Sequence, residues 1–140
     1  MSLSKGVFFA PAAAAIHALC FNESWKREEF EKLLALPTSR LWIDEKALLL
    51  CSEVPDEMEI LTLGVIPEKR RQHLAQKLLE DLFQYAKNQQ VKRIFLEVAE
   101  DNKAAQKLYF KMGFIETGRR SDYYHHKNKT IDALCLTKEI

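Results

Sequence analysis

A single carboxylate interrupts the apolar run Ile94-Phe95-Leu96-Glu97-Val98-Ala99. In an extended segment Ile94, Leu96 and Val98 share one face, while Phe95, Glu97 and Ala99 share the other. If that strand is covered on both sides, Glu97 is partly desolvated, which suits a carboxylate to accept a proton near neutral pH. The competing reading is an ordinary ion pair between Glu97 and a Lys or Arg. Tyr109 falls on the inward stripe of a short helix, where a Tyr is ordinarily a core residue with its hydroxyl tied to one acceptor. Lys69, Arg70 and Arg71 follow Pro67 and Glu68 at the expected start of the longest helix, where free N–H groups and the helix dipole already concentrate positive potential. A bound phosphate turns that repulsion into attraction; without one, the three are a solvated charge cluster. Cys20, Cys51 and Cys135 are widely spaced with no Cys-x-x-Cys pair and no recognisable nucleophile setting, so a reduced, cytosolic protein without structural zinc is expected. His125 and His126 are adjacent, so an extended backbone sends them to opposite faces and they make a poor metal pair.

The elements that position these groups follow from pattern. A chain of 140 residues with 47% hydrophobic and 29% charged residues suits one compact domain with a real core. The mean hydropathy of −0.27 and the breaks at Pro11 and His17 in its most apolar stretch, Phe8 to Phe21, argue against a membrane span, and a single upstream Lys5 makes that stretch a poor secretory signal. Met1 to Glu68 carries 6 basic and 11 acidic residues, whereas Lys69 to Ile140 carries 15 and 9. The basic half suits a polyanion and the acidic half, with Glu23, Glu28, Glu29, Glu31, Asp44 and Glu45, a basic peptide; a general nucleic-acid binder should be basic throughout.

Helical character is expected over Pro11–Cys20 and Lys26–Leu36, then short antiparallel strands over Leu41–Ile43, Ala47–Ser52 and Met58–Val65. From Arg70 the row Leu74, Leu78, Leu82 predicts a helix of about five turns. Val91–Ala99 reads as a strand, Asn102–Met112 as a short helix stopped by Gly113, and Phe114–Gly118 with Thr130–Leu136 as closing strands. The order gives a mixed α/β (α+β) domain rather than a repeated βαβ fold.

From about Thr62 onward, the order of Leu96-Glu97-Val98, Asn102-Lys103-Ala104-Ala105, Leu108-Tyr109, Met112-Gly113-Phe114, and Arg119-Arg120 with Tyr123-Tyr124 resembles the GNAT N-acetyltransferase superfamily, in particular its RimI-type ribosomal-protein alanine N-acetyltransferases. The resemblance implies a single GNAT-fold domain over residues 1–140, with a mixed, mostly antiparallel sheet whose central strands splay between flanking helices. It implies acetyl-CoA as co-substrate and no metal. The acceptor it implies is an amine, foremost the N-terminal alanine of a small-subunit ribosomal protein. No nucleic-acid or membrane partner is expected, and the protein is expected in the cytoplasm as a monomer or weak homodimer. Other readings are a GNAT acting on a polyamine, an aminoglycoside or another protein N-terminus, or a non-catalytic acyl-CoA-binding module.

The resemblance also carries roles to positions. The family's pyrophosphate loop, (Gln/Arg)-x-x-Gly-x-(Gly/Ala), falls on Arg70-Arg71-Gln72-His73-Leu74-Ala75, and Arg71 to Gln76 would form the phosphate cradle. Leu63, Gly64 and Val65 would offer strand backbone to the acetyl and pantetheine end, and Asn102 a side-chain contact. Glu97 would be the general base and Tyr109 the acid that protonates the leaving thiolate; Arg119, Tyr123 and Tyr124 would shape the acceptor groove. These roles suit the chemistry: an α-amine with a pKa of about 7.7–8.0 needs only a modest base, and the oxyanion of thioester attack needs a backbone N–H near Gly64-Val65. His73 stands where the family has Gly, so its Cβ and ring either narrow the cradle or present an imidazole to a phosphate.

Overall fold

The computed structural model describes residues 3–70, 72–126 and 129–140, with only the backbone of His126. The chain runs β1 (Leu3–Ser4), a 3-10 turn (Val7–Phe9), α1 (Ala10–Cys20), α2 (Arg27–Leu34), β2 (Ser39–Ile43), β3 (Ala47–Val54) and β4 (Glu57–Val65). A second 3-10 turn (Pro67–Lys69) leads to α3 (Leu74–Asn88), β5 (Arg93–Ala99), α4 (Lys103–Lys111), β6 (Ile115–His126) and β7 (Lys129–Glu139). The strands make one mixed sheet in the order β1-β2-β3-β4-β5-β7-β6. Among the described residues no helix is long and apolar enough to cross a membrane.

Alternation along β3 explains the layering. Ala47, Leu49 and Cys51 enter the core packed beneath α3 and α4, whereas Leu48 and Leu50 enter the core beneath α1 and α2. A strand buried on both faces reads as a continuous apolar run, which is what Ala47–Cys51 is. The stripe of α3 buries Leu78, Leu79, Leu82 and Ala86. α1 buries Ala10, Ala13 and Ile16, so the apolar N-terminal stretch is part of the fold.

Three boundaries differ from the sequence expectation. α3 begins at Leu74 and not at Arg70, because Pro67–Lys69 close a separate turn and His73 takes a left-handed backbone, φ 59°, through which a right-handed helix does not propagate. β6 and β7 run well past the expected Phe114–Gly118 and Thr130–Leu136, so Arg119 to Tyr124 lie in a bulged strand and not in a hairpin loop. The short β1 pairs with β2 through Leu3 and Ser4, a segment too brief to show a period.

The decisive feature is where pairing stops. β4 and β5 are the parallel pair, in register only at Glu57–Arg93, Met58–Ile94 and Glu59–Phe95. Beyond Glu59, β4 stays with β3 while β5 stays with β7, and the two strands part. Helix ends and loops flank the gap this opens in the sheet.

Candidate active site

Two cavities lie along the parting strands. The first, about 400 Å³, is lined by Leu63, Gly64 and Val65 of β4, by His73 to Gln76 at the head of α3, and by Leu108 and Tyr109 of α4. The second, about 640 Å³, is a groove walled by Trp25, Glu59, Glu97, Arg120, Tyr123 and Tyr124, with Glu29 and Lys32 of α2 at its margin. Glu97 and Tyr109 therefore face different cavities.

The head of α3 carries the donors. The first intrahelical bond to the cap residue is Lys77 N–H to the His73 carbonyl, 3.0 Å, which leaves the N–H groups of Leu74, Ala75 and Gln76 without intrahelical acceptors. His73 lends no side-chain cap. The site thus offers a row of backbone donors at the positive end of a helix dipole, beside a largely apolar cleft. Gly64 permits the close wall opposite: a Cβ there would stand 2.9 Å from the Phe21 ring and 3.0 Å from Cys20 Cβ. The arrangement suits an elongated ligand with an anionic end, the shape that the resemblance implies for acetyl-CoA.

Not every residue expected at this cavity is placed on its lining. Arg71 lies outside the described residues. Arg70 lines the cavity, but its Nε–H donates to the Val65 carbonyl (2.9 Å) and a terminal N–H to the Cys20 carbonyl (3.1 Å), so its guanidinium clamps the end of β4 to the end of α1. Gln72 is exposed and does not line the cavity. Asn102 also stays outside: its Oδ1 accepts the Ala105 N–H at 3.2 Å, and this N-cap starts α4.

Tyr109 is 7% exposed, and its ring sits edge-on to Phe114 with centroids 5.4 Å apart. Tyr109 is a core residue as expected, but its hydroxyl has no hydrogen-bond partner among the described residues, and the residue also lines the cavity. Burial, then Cys51 and Tyr124, push its pKa far above that of a free phenol. The group is consequently a neutral donor throughout the physiological range.

Glu97 departs from the covered carboxylate that the strand pattern suggested. Its side chain is 23% exposed, and Arg120 donates to both of its oxygens, at 3.0 and 3.3 Å. β6 supplies that partner through a bulge in which Arg120 opposes Ala133 and Tyr124 opposes Ile131. Asp132 holds the bulge: one oxygen accepts the Asp122 N–H (2.9 Å), the other a guanidinium N–H of Arg119 (3.2 Å). These two donors keep its carboxyl below the usual range. Arg119, expected in the acceptor groove, is thus occupied with Asp132 and Glu100 elsewhere, while Arg120, Tyr123 and Tyr124 line the groove. A one-residue difference along a strand reverses the face, which is why Arg120 and not Arg119 arrives.

Two further residues escape sequence reasoning. His17, expected only as a break in an apolar run, is 3% exposed in α1. Its Nδ1 accepts the Trp25 N–H (3.0 Å), so Nε2 carries the proton and donates to Thr62 Oγ1 on β4 (3.2 Å). Burial lowers its pKa, keeping the ring neutral at pH 7 despite nearby Glu29. The ring packs between Phe21 and Trp25, centroids 4.4 and 4.9 Å away, and so pins the loop that sends Phe21 towards the first cavity and Trp25 towards the second. The other is Glu59, whose neighbourhood only the β4–β5 register reveals. No group of three or more metal-ligating side chains occurs among the described residues.

The geometry agrees with comparisons to known proteins. The model of the acetyltransferase (GNAT) family matches residues 10–114. A ribosomal protein bS18-alanine N-acetyltransferase of Salmonella typhimurium is 30% identical over 137 residues, covering 93% of this chain and 90% of that one. The crystal structure of the ribosomal-protein-S18-alanine N-acetyltransferase from Escherichia coli superposes with a TM-score of 0.88 at 26% identity, over 99% of this chain and 93% of that one. Arabidopsis thaliana NAA60 in complex with acetyl-CoA shares the fold, with a TM-score of 0.80 at 17% identity over 99% of this chain and 98% of that one. The match spans β4, α3, β5 and α4, the elements that part to form the cleft, and this chain belongs to the acetyltransferase (GNAT) family as a RimI-like, acetyl-CoA-dependent N-acetyltransferase.

Proposed function

We propose that this protein acetylates the N-terminal alanine of a small-subunit ribosomal protein, with Glu97 as general base and Tyr109 as general acid. One observation carries the reading: where β4 and β5 part, a phenol faces one cavity and a carboxylate the other, so a donor and an acceptor of protons flank the same gap. The backbone of Leu63, Gly64 and Val65 and the N–H groups of Leu74, Ala75 and Gln76 would hold acetyl-CoA, which supplies the activated acyl group. Glu97 takes a proton from the incoming ammonium, a task within reach of a carboxylate because an α-amine has a pKa of only about 7.7–8.0. Tyr109 presents its O–H to the developing thiolate, and the ring contact with Phe114 keeps that donor in place. Trp25, Tyr123 and Tyr124 give the groove the aromatic walls that suit a peptide.

The test is thiol release from acetyl-CoA together with a mass gain of one acetyl group on a basic peptide that begins with Ala. Turnover confined to small amines such as spermidine would reject the peptide acceptor and keep the transferase.

His73 bears on cofactor affinity. Its left-handed backbone is the conformation that Gly adopts without cost, while its ring lines the cavity beside the free N–H groups of α3. His73→Gly is expected to tighten acetyl-CoA binding by about threefold to tenfold, in the range of one modest steric contact removed. Calorimetry of both proteins at one ionic strength checks this, and weaker binding by the variant would identify the imidazole as a phosphate ligand instead.

A further inference from the structure

Glu59 is a carboxylate with no ion-pair partner of its own among the described residues, in a groove that already holds one ion pair. It leaves β4 opposite Phe95, the last residue at which β4 and β5 pair, so its side chain shares a face with Phe95 and Glu97. It lines the groove with Glu97 and Arg120. It makes no hydrogen bond or ion pair with any described residue. Arg120 is committed elsewhere: it donates to both Glu97 oxygens, and its guanidinium carbon lies 4.2 Å over the Tyr123 ring. Among the described residues the other charged groups on the groove are Glu29 and Lys32 of α2, which cancel. With both β-strand carboxylates ionised, the groove is therefore one positive charge short.

That shortage costs free energy in the empty protein. Partial burial and the neighbouring Glu97 raise the pKa of Glu59, and Arg120 offsets them only in part. A cation brought by the acceptor relieves both penalties. At pH 7 the acceptor amine is such a cation, because its pKa lies above neutrality at about 7.7–8.0.

We propose that Glu59 is an acceptor-positioning residue, which pairs with the protonated amine of the acceptor in the groove and delivers it to Glu97. This rests on the reading of Glu97 as the base. The transfer is balanced: one N–H bond of the ammonium breaks, one O–H bond forms on the Glu97 carboxylate, and the electron pair left on nitrogen is the nucleophile's. Glu59 itself gains no proton in the step. The assignment makes charge on the acceptor, rather than its bulk, the property the groove selects.

The experiment compares an Ala-starting peptide with its N-acetylated form, both titrated into protein saturated with CoA, which cannot react. Wild-type protein is expected to bind the free amine about tenfold more tightly, the scale of one partly exposed charge-assisted hydrogen bond. Glu59→Gln should reduce that preference to within about threefold and raise KM for the peptide more than it lowers kcat, while Glu59→Asp should restore most of it. In wild type the preference should also fade on acidification above the usual carboxylate range, since a raised pKa means Glu59 takes its proton earlier as pH falls. An undiminished preference in Glu59→Gln, no preference in wild type, or equal failure of the Asp variant would overturn the assignment. If spermidine is the acceptor, the same arms run with spermidine against its acetylated form. Failure of the base reading is separately visible, as full kcat in Glu97→Gln.

Discussion

Glu97→Gln is expected to lower kcat by about a hundredfold or more, the ordinary loss on removing a general base, while acetyl-CoA binds as before. The separation follows from position. Glu97 lines the second cavity and not the one at the head of α3 that is proposed to hold acetyl-CoA, so the proposed cofactor contacts would be untouched. Gln keeps the length and one acceptor oxygen towards Arg120, and a pair whose Arg side chain is 58% exposed contributes little to stability in any case. Steady-state rates of thiol release, with calorimetry of acetyl-CoA on the same preparations, check both halves of the expectation. Full activity in this variant would remove Glu97 from its role and leave Glu59 as the other β-strand carboxylate on the same groove.

Tyr109→Phe is expected to lower kcat by about a hundredfold with KM for the peptide nearly unchanged. The phenyl ring keeps the edge-on contact with Phe114, and the hydroxyl it lacks has no partner among the described residues, so folding loses little. A thermal midpoint within about 2 °C of wild type should accompany the loss of rate. The pH profile adds a second check. Because burial pushes the phenol upwards, Tyr109 stays protonated through neutral and mildly alkaline pH. Any alkaline fall in the wild-type rate should therefore persist unmoved in the Phe variant; a fall that vanishes would mean that the phenol titrates in that range and contradicts its burial. Thiol release at several pH values measures both.

Much of the fold was legible because local pattern and global layer agree. The stripe of α3, the meander β2–β4 and the two-sided run of β3 each follow from the period with which apolar residues recur. Glu97 and Tyr109 stood out for the same reason, one as a charge in an apolar strand, the other on an inward helical stripe. Sequence reasoning was incomplete where a residue's neighbours come from distant segments. Arg70, expected at the phosphate cradle, lines the cavity and also donates to carbonyls of β4 and α1. Asn102, expected as a cofactor contact, also caps α4. Arg119 and Arg120 are indistinguishable as a dipeptide until a bulge pinned by Asp132 turns one into the groove and the other away.

By itself, then, the amino-acid order determined most of the helices and strands though not all their ends, and it marked a carboxylate, a phenol and a basic turn as the candidates for chemistry. Only the tertiary structure decided that the carboxylate and the phenol flank one gap from opposite cavities, that Arg120 rather than Arg119 meets Glu97, and that Glu59 forms no ion pair among the described residues. The reason is the range of the forces involved. Periodicity is set by neighbours a few residues apart, whereas pairing of charges depends on the register of β4 against β5 and of β6 against β7, which long-range packing alone establishes.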